Sequence, residues 1–61
     1  MKEGRIAFAL INILHETYET LDEEHTKKFT KGVRLLLNAR MPIALIAAYA
    51  EGYKDEYGGT K

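Results

Sequence analysis

Chemistry in this 61-residue chain would have to start from His15, His25 and the carboxylates around them, Glu16, Glu19, Asp22, Glu23 and Glu24. His15 and Glu19 are four residues apart, so on a helix they share a face and could hold one metal ion. A complete site would need further ligands, brought in by folding or by a twofold axis. No HExxH or comparable ligand spacing supplies them. With no cysteine, a thiolate site and a disulfide framework are both excluded. The expectation is therefore no metal and no cofactor, with His15 at an interface and His25 at an edge.

Catalysis has no better footing. A general acid or base needs a shifted pKa, and these carboxylates fall on faces expected to be wet, where pKa values stay ordinary. The chain has no serine and no glycine-rich phosphate loop. An enzyme this small would have to build its pocket between subunits. The sequence reads as that of a non-enzyme.

The elements that carry these residues are helices. From Ile6 onward, Ile6, Leu10, Ile13, Leu14, Thr17 and Leu21 share one face. Phe8, Ile11, His15 and Tyr18 form a second apolar seam beside it. That leaves chiefly Asn12, Glu16, Glu19 and Thr20 for water, an arc wider than a surface helix needs. Gly4 is a poor helix residue, and Met1 to Arg5 is expected to fray.

Thr20-Leu21-Asp22-Glu23 matches a capping box, with Thr20 and Glu23 satisfying each other's backbone N–H groups. A second helix is then expected from Leu21, with a continuous helix as the alternative, since no Gly or Pro forces a break near Glu19 and Thr20. Its buried face is Phe29, Val33 and Leu36, with His25, Gly32 and Leu37 on the edges. Lys27, Lys31, Arg34 and Asn38 face water, and the late Lys and Arg complement the helix dipole. Gly32 costs about 1 kcal/mol against Ala inside a helix, which suggests a close crossing. Glu23 with Lys27 and Glu24 with Lys28 are spaced to pair.

Pro42 is then expected to break the chain, with a single helix kinked there as the alternative. It pushes Met41 out of the α region and suits the first turn of a new helix. The third helix has a large face, Ile46, Ala50 and Tyr57 flanked by Ile43, Tyr49 and Tyr53. It also has a small face, Ala44, Ala48 and Gly52. The small face is either a close helix contact or a wet row of helix formers. Gly58 is placed for a left-handed C-cap, with a tail beyond it.

The stretch Met41–Gly59, MPIALIAAYAEGYKDEYGG, resembles the first half of a helix-turn-helix. A recognition helix would have to follow Gly52. Only nine residues remain there, Asp55 and Glu56 among them. A DNA-binding role would have to use Lys27, Lys31 and Arg34 instead, doubled in a dimer.

The fold expected is all-α, a single three-helix domain with helices near 4–19, 21–39 and 42–57. A homodimer is expected because the apolar faces exceed what one such unit can bury. The candidate interface is Phe8, Ile11, His15, Tyr18, Ala44, Ala48, Gly52, Tyr49, Tyr53 and Tyr57. Nine basic and nine acidic residues give zero net charge, which disfavours nonspecific nucleic-acid binding. No run approaches the ~20 apolar residues of a membrane span, and no cleavage site follows the first apolar run. The expected role is a small cytoplasmic regulatory protein that binds another protein. By analogy alone, such chains come from bacterial, plasmid or phage genomes. The alternative is a dimeric DNA-binding regulator using the basic face.

Overall fold

The computed structural model describes residues 2–61, apart from the side chains of residues 2–4 and 6. The reading of Ile6 as a core residue lies outside the described residues. Three α-helices follow in order: α1 Lys2–Thr20, α2 Glu23–Asn38 and α3 Ile43–Tyr57. No strand occurs among the described residues. The helix count and breaks agree with the apolar periodicity. α1 starts at Lys2 rather than Gly4, so the N-terminal stretch continues the helix.

The α1–α2 junction differs from the expected capping box. Thr20 is still helical, and its hydroxyl donates to the Thr17 carbonyl (3.0 Å). The N-cap is Asp22, whose Oδ1 accepts from the His25 N–H (2.9 Å). Two overlapping patterns, Thr20-x-x-Glu23 and Asp22-x-x-His25, compete for one helix start. The second wins because Leu21 is needed in the core, where it is buried. Helix then begins at Glu23, with Glu23 and Glu24 in the first turn where the dipole favours anions. The last turn of α2 holds no basic residue, so Arg34 lies too early to act on the C-terminal dipole.

α2 ends in a Schellman motif. Met41 N–H donates to the Leu36 carbonyl (3.1 Å) and Arg40 N–H to the Leu37 carbonyl (3.0 Å). The left-handed position usual for glycine is held by Arg40, with φ of 56°. An L side chain is strained there. Arg40→Gly should therefore raise stability by roughly 0.5–1 kcal/mol, read as an upward shift of the urea midpoint at constant slope. Pro42 caps α3 one residue before its first turn, and its carbonyl accepts from the Leu45 and Ile46 N–H groups (3.0 and 3.2 Å).

The tail after α3 is a strap. Gly58 N–H donates to the Lys54 carbonyl (2.7 Å). Gly59 and Lys61 N–H groups then donate to the Thr20 carbonyl (2.9 and 3.2 Å), and Thr60 Oγ1 accepts from the Asp22 N–H (2.9 Å). These bonds satisfy a carbonyl that the end of α1 would otherwise leave open. Gly58 is extended (φ −61°, ψ 148°) and the positive φ, 90°, falls on Gly59. The expected left-handed cap is thus displaced by one residue, because the chain must turn back toward Thr20.

α3 packs chiefly on α1, less on α2, and α1 and α2 approach each other least. Thr17 Oγ1 reaches the Ala50 carbonyl (3.4 Å), and farther along both elements the Thr20 carbonyl accepts from the Gly59 N–H (2.9 Å), so α1 and α3 run parallel. His25 meets Tyr57 while Gly32 meets Tyr49, so α2 runs antiparallel to α3. Among the described residues the buried ones are Leu21, Phe29, Val33, Ile46, Ala50 and Thr17. Leu10, Ile13, Leu14, Tyr18, Leu36, Tyr49 and Tyr53 close over them.

Candidate functional site

The tyrosines build the closed end of the bundle. Phe29 is fully buried and is the hub. Tyr18 meets it edge-on, with centroids 5.2 Å apart, and Tyr49 lies nearly parallel at 5.8 Å. Tyr53 is 5.1 Å from Phe29, and Tyr57 extends the row to the His25 ring (4.7 and 5.3 Å). Tyr18 Oη pairs with Thr30 Oγ1 (2.8 Å), and Tyr53 Oη donates to the His25 carbonyl (3.4 Å). Three of the candidate interface residues, Tyr18, Tyr49 and Tyr53, are thus engaged inside the chain, while Tyr57 remains partly exposed at the rim. Burial pushes the Tyr49 and Tyr53 hydroxyls above their ordinary pKa.

Gly32 has its reason here. A Cβ at this position would overlap the Tyr49 hydroxyl, and its Cζ would be 2.8 Å away. The close approach is by a tyrosine ring, not by a neighbouring helix backbone. The small face of α3 behaves differently. Ala44, Ala48 and Gly52 are all exposed, and a Cβ on Gly52 would meet nothing within 4 Å. Within the chain this face is a wet row of helix formers, not a close helix contact.

His25 takes part in the cap of α2. His25 Nδ1 lies 2.7 Å from the same Asp22 oxygen that accepts the His25 N–H. The backbone N–H first, and then the ring, hold the Asp22 carboxyl below its ordinary pKa. A depressed carboxyl contributes stability that is present above the unfolded pKa, near 3.9, and lost as pH falls through the folded value. Asp22→Asn keeps an N-cap acceptor but removes the titration. The stability of the variant should therefore fall less than that of the parent between about pH 5 and pH 3. Urea midpoints at several pH values measure this; parallel curves would remove Asp22 from the acid response.

His15 Nε2 pairs with Glu19 (2.9 Å), with both side chains well exposed. Among the described residues no group of three or more His, Cys, Asp or Glu is placed to hold a metal ion. The pairs Glu23–Lys27 (3.7 Å) and Glu24–Lys28 (3.6 Å) form as spaced, on a solvated face. Exposed pairs of this kind contribute little to stability. Lys27, Lys31 and Arg34 line one shallow depression of about 290 Å³ with Thr26 and Thr30. Among the described residues no helix is long and apolar enough to cross a membrane.

Among the described residues, seven of the eight exposed large apolar side chains lie toward one end of the bundle, Tyr57 being the exception. Phe8 and Ile11 on α1 are 69% and 62% exposed. Leu35 and Leu37 near the end of α2, Met41 in the turn, and Ile43 and Leu45 at the start of α3 are exposed as well. Because α2 runs against α1 and α3, all seven lie away from the tyrosine cluster. The sequence reading singled out Phe8 and Ile11 as an interface but not Leu35, Met41, Ile43 or Leu45. A signal was present: Leu35, Leu36 and Leu37 are consecutive, and successive helical residues point about 100° apart, so three leucines cannot share one core. Leu36 takes it.

No protein family model, curated protein or solved structure matches this chain.

Proposed function

We propose that the protein is a non-catalytic, homodimeric interaction module that regulates another protein by binding it through the apolar end of the bundle. The observation that carries this reading is the group of seven exposed large apolar side chains: Phe8 and Ile11, which a second copy would cover, and Leu35, Leu37, Met41, Ile43 and Leu45, left for the other protein. Small soluble monomers rarely leave so much apolar surface uncovered, and large exposed patches mark binding surfaces. Affinity capture from the native host, with Leu35→Glu and Leu45→Glu as paired baits, tests it. The expected result is a protein retained by the parent and lost by both variants. Identical captures by parent and variants would remove the apolar end from the proposal.

The second reading, a dimeric DNA-binding regulator, draws support from Lys27, Lys31 and Arg34 sharing one exposed depression. Zero net charge weighs against it. Duplex binding with a steep salt slope, abolished by Lys31→Glu with Arg34→Glu, would favour this reading. Affinity no tighter than ~10⁻⁴ M at physiological salt would dismiss it.

A further inference from the structure

We infer that the outer face of α1 is the homodimer contact, and that its occupant is the same face of a second copy lying antiparallel across a twofold axis near Ile11 and Asn12. This rests on the homodimer reading above and specifies its geometry. Phe8 is nine residues from the fully buried Thr17, which is half a turn out of phase on an α-helix. Phe8 therefore stands on the side of α1 away from the core. Five of the six Phe and Tyr rings belong to the cluster around Phe29, and Phe8 alone stands outside it.

Area gives the occupant its size. A folded monomer of 6.9 kDa is expected to expose roughly 4,000 Å². This chain exposes 4709 Å². The excess of about 700 Å², which belongs to the whole surface rather than to α1 alone, is comparable with the ~800 Å² per partner of a standard interface.

Charge gives the occupant its identity and direction. Phe8, Ile11 and His15 recur at spacings of three and four, a helix-pairing seam. Arg5, Asn12 and Glu19 recur every seven residues along one flank of that seam. All six are exposed. In an antiparallel pair centred near Ile11 and Asn12, Phe8 meets the partner's His15, and Arg5 meets the partner's Glu19. The twofold axis repeats each contact, as an isologous interface requires. A parallel pair would set this flank against the partner's opposite flank, which carries Ala7 and Leu14, and leave Arg5 and Glu19 with no opposite charge to meet.

The test is a charge exchange between protomers, read by sedimentation equilibrium across the micromolar range. Arg5→Glu alone places glutamates together at both ends of the interface; Glu19→Arg alone places arginines together. Each variant should dimerise roughly tenfold or more weakly than the parent. An equimolar mixture of the two restores opposite charges at both ends, and should recover dimers near the parental affinity. Both sites are exposed on one helix, so neither change threatens the fold. A single Asn12→Cys in this cysteine-free chain adds a second readout: mild oxidation should yield a covalent dimer far faster than Ala48→Cys does. A parent that stays monomeric overturns both this inference and the homodimer reading. A dimer indifferent to both charge variants, a mixture no tighter than its components, or equal crosslinking at residues 12 and 48 overturns the antiparallel α1 contact alone.

Discussion

Phe29→Ala should leave the chain largely unfolded at room temperature. Phe29 is fully buried and touches three of the four tyrosine rings. Truncating such a residue costs about 3–5 kcal/mol, because the ring's burial is lost and a cavity remains. A domain of 61 residues has a total stability of roughly 3–9 kcal/mol. The loss is therefore comparable with everything the fold has. The ring contacts to Tyr18, Tyr49 and Tyr53 go with it, and these join α2 to both α1 and α3. Far-ultraviolet circular dichroism and a urea titration at fixed protein concentration check this, since dimer stability depends on concentration. A variant with an unchanged midpoint would place the core's burial energy elsewhere. Phe29→Leu, which keeps most of the apolar volume, should stay folded with a lower midpoint.

The same substitution at two glycines should have opposite signs. At Gly58 a new Cβ would overlap the Lys54 carbonyl oxygen and come within 3.3 Å of Thr20 Oγ1. The obstacle is backbone, which cannot swing aside. The Gly58–Lys54 hydrogen bond must break or the strap must lift, and lifting it loses the two bonds to the Thr20 carbonyl. Each such bond contributes about 0.5–1.5 kcal/mol net. Gly58→Ala should thus cost about 1–3 kcal/mol by that arithmetic. Gly52→Ala meets open space on an exposed helical face, and should stabilise by up to about 1 kcal/mol. Two midpoints of the same sign would contradict the strap.

The broad fold was legible in the sequence because its signals are local. Proline at 42 and the apolar periods of Ile6–Leu21 and Phe29–Leu36 place the breaks and the buried faces. The misreadings share one cause: contacts made by residues far apart in sequence. Thr20 has the type of an N-cap, but its carbonyl is claimed by Gly59 and Lys61, and Asp22 caps instead. Gly58 has the type of a left-handed cap, but the return of the chain to Thr20 moves that conformation to Gly59. Tyr18 follows the periodicity of the Phe8 seam, yet its ring turns to Phe29 while Phe8, Ile11 and His15 stay outside. Gly32 signalled a close approach correctly, though not that a tyrosine ring makes it. The candidate site was half legible. Its α1 part stood out as a second apolar seam, whereas Leu35 and Leu45 were hidden among core leucines until the helix azimuths were fixed.

The pairing of α1 with α3, rather than with its sequence neighbour, sets the order in which the molecule can come into being. A nascent chain that has reached Asn38 carries the sequence of both early helices but little to hold them together. Thr17 still lacks Ala50, and Phe29 still lacks Tyr49 and Tyr53. Assembly waits on closing a loop of more than thirty residues between α1 and α3, an entropic cost met before any of those contacts forms. The helices therefore cannot be added one at a time as the ribosome delivers them. For the same reason, a protease cut or a stop codon within α3 would release the whole chain to the unfolded state rather than trim its end.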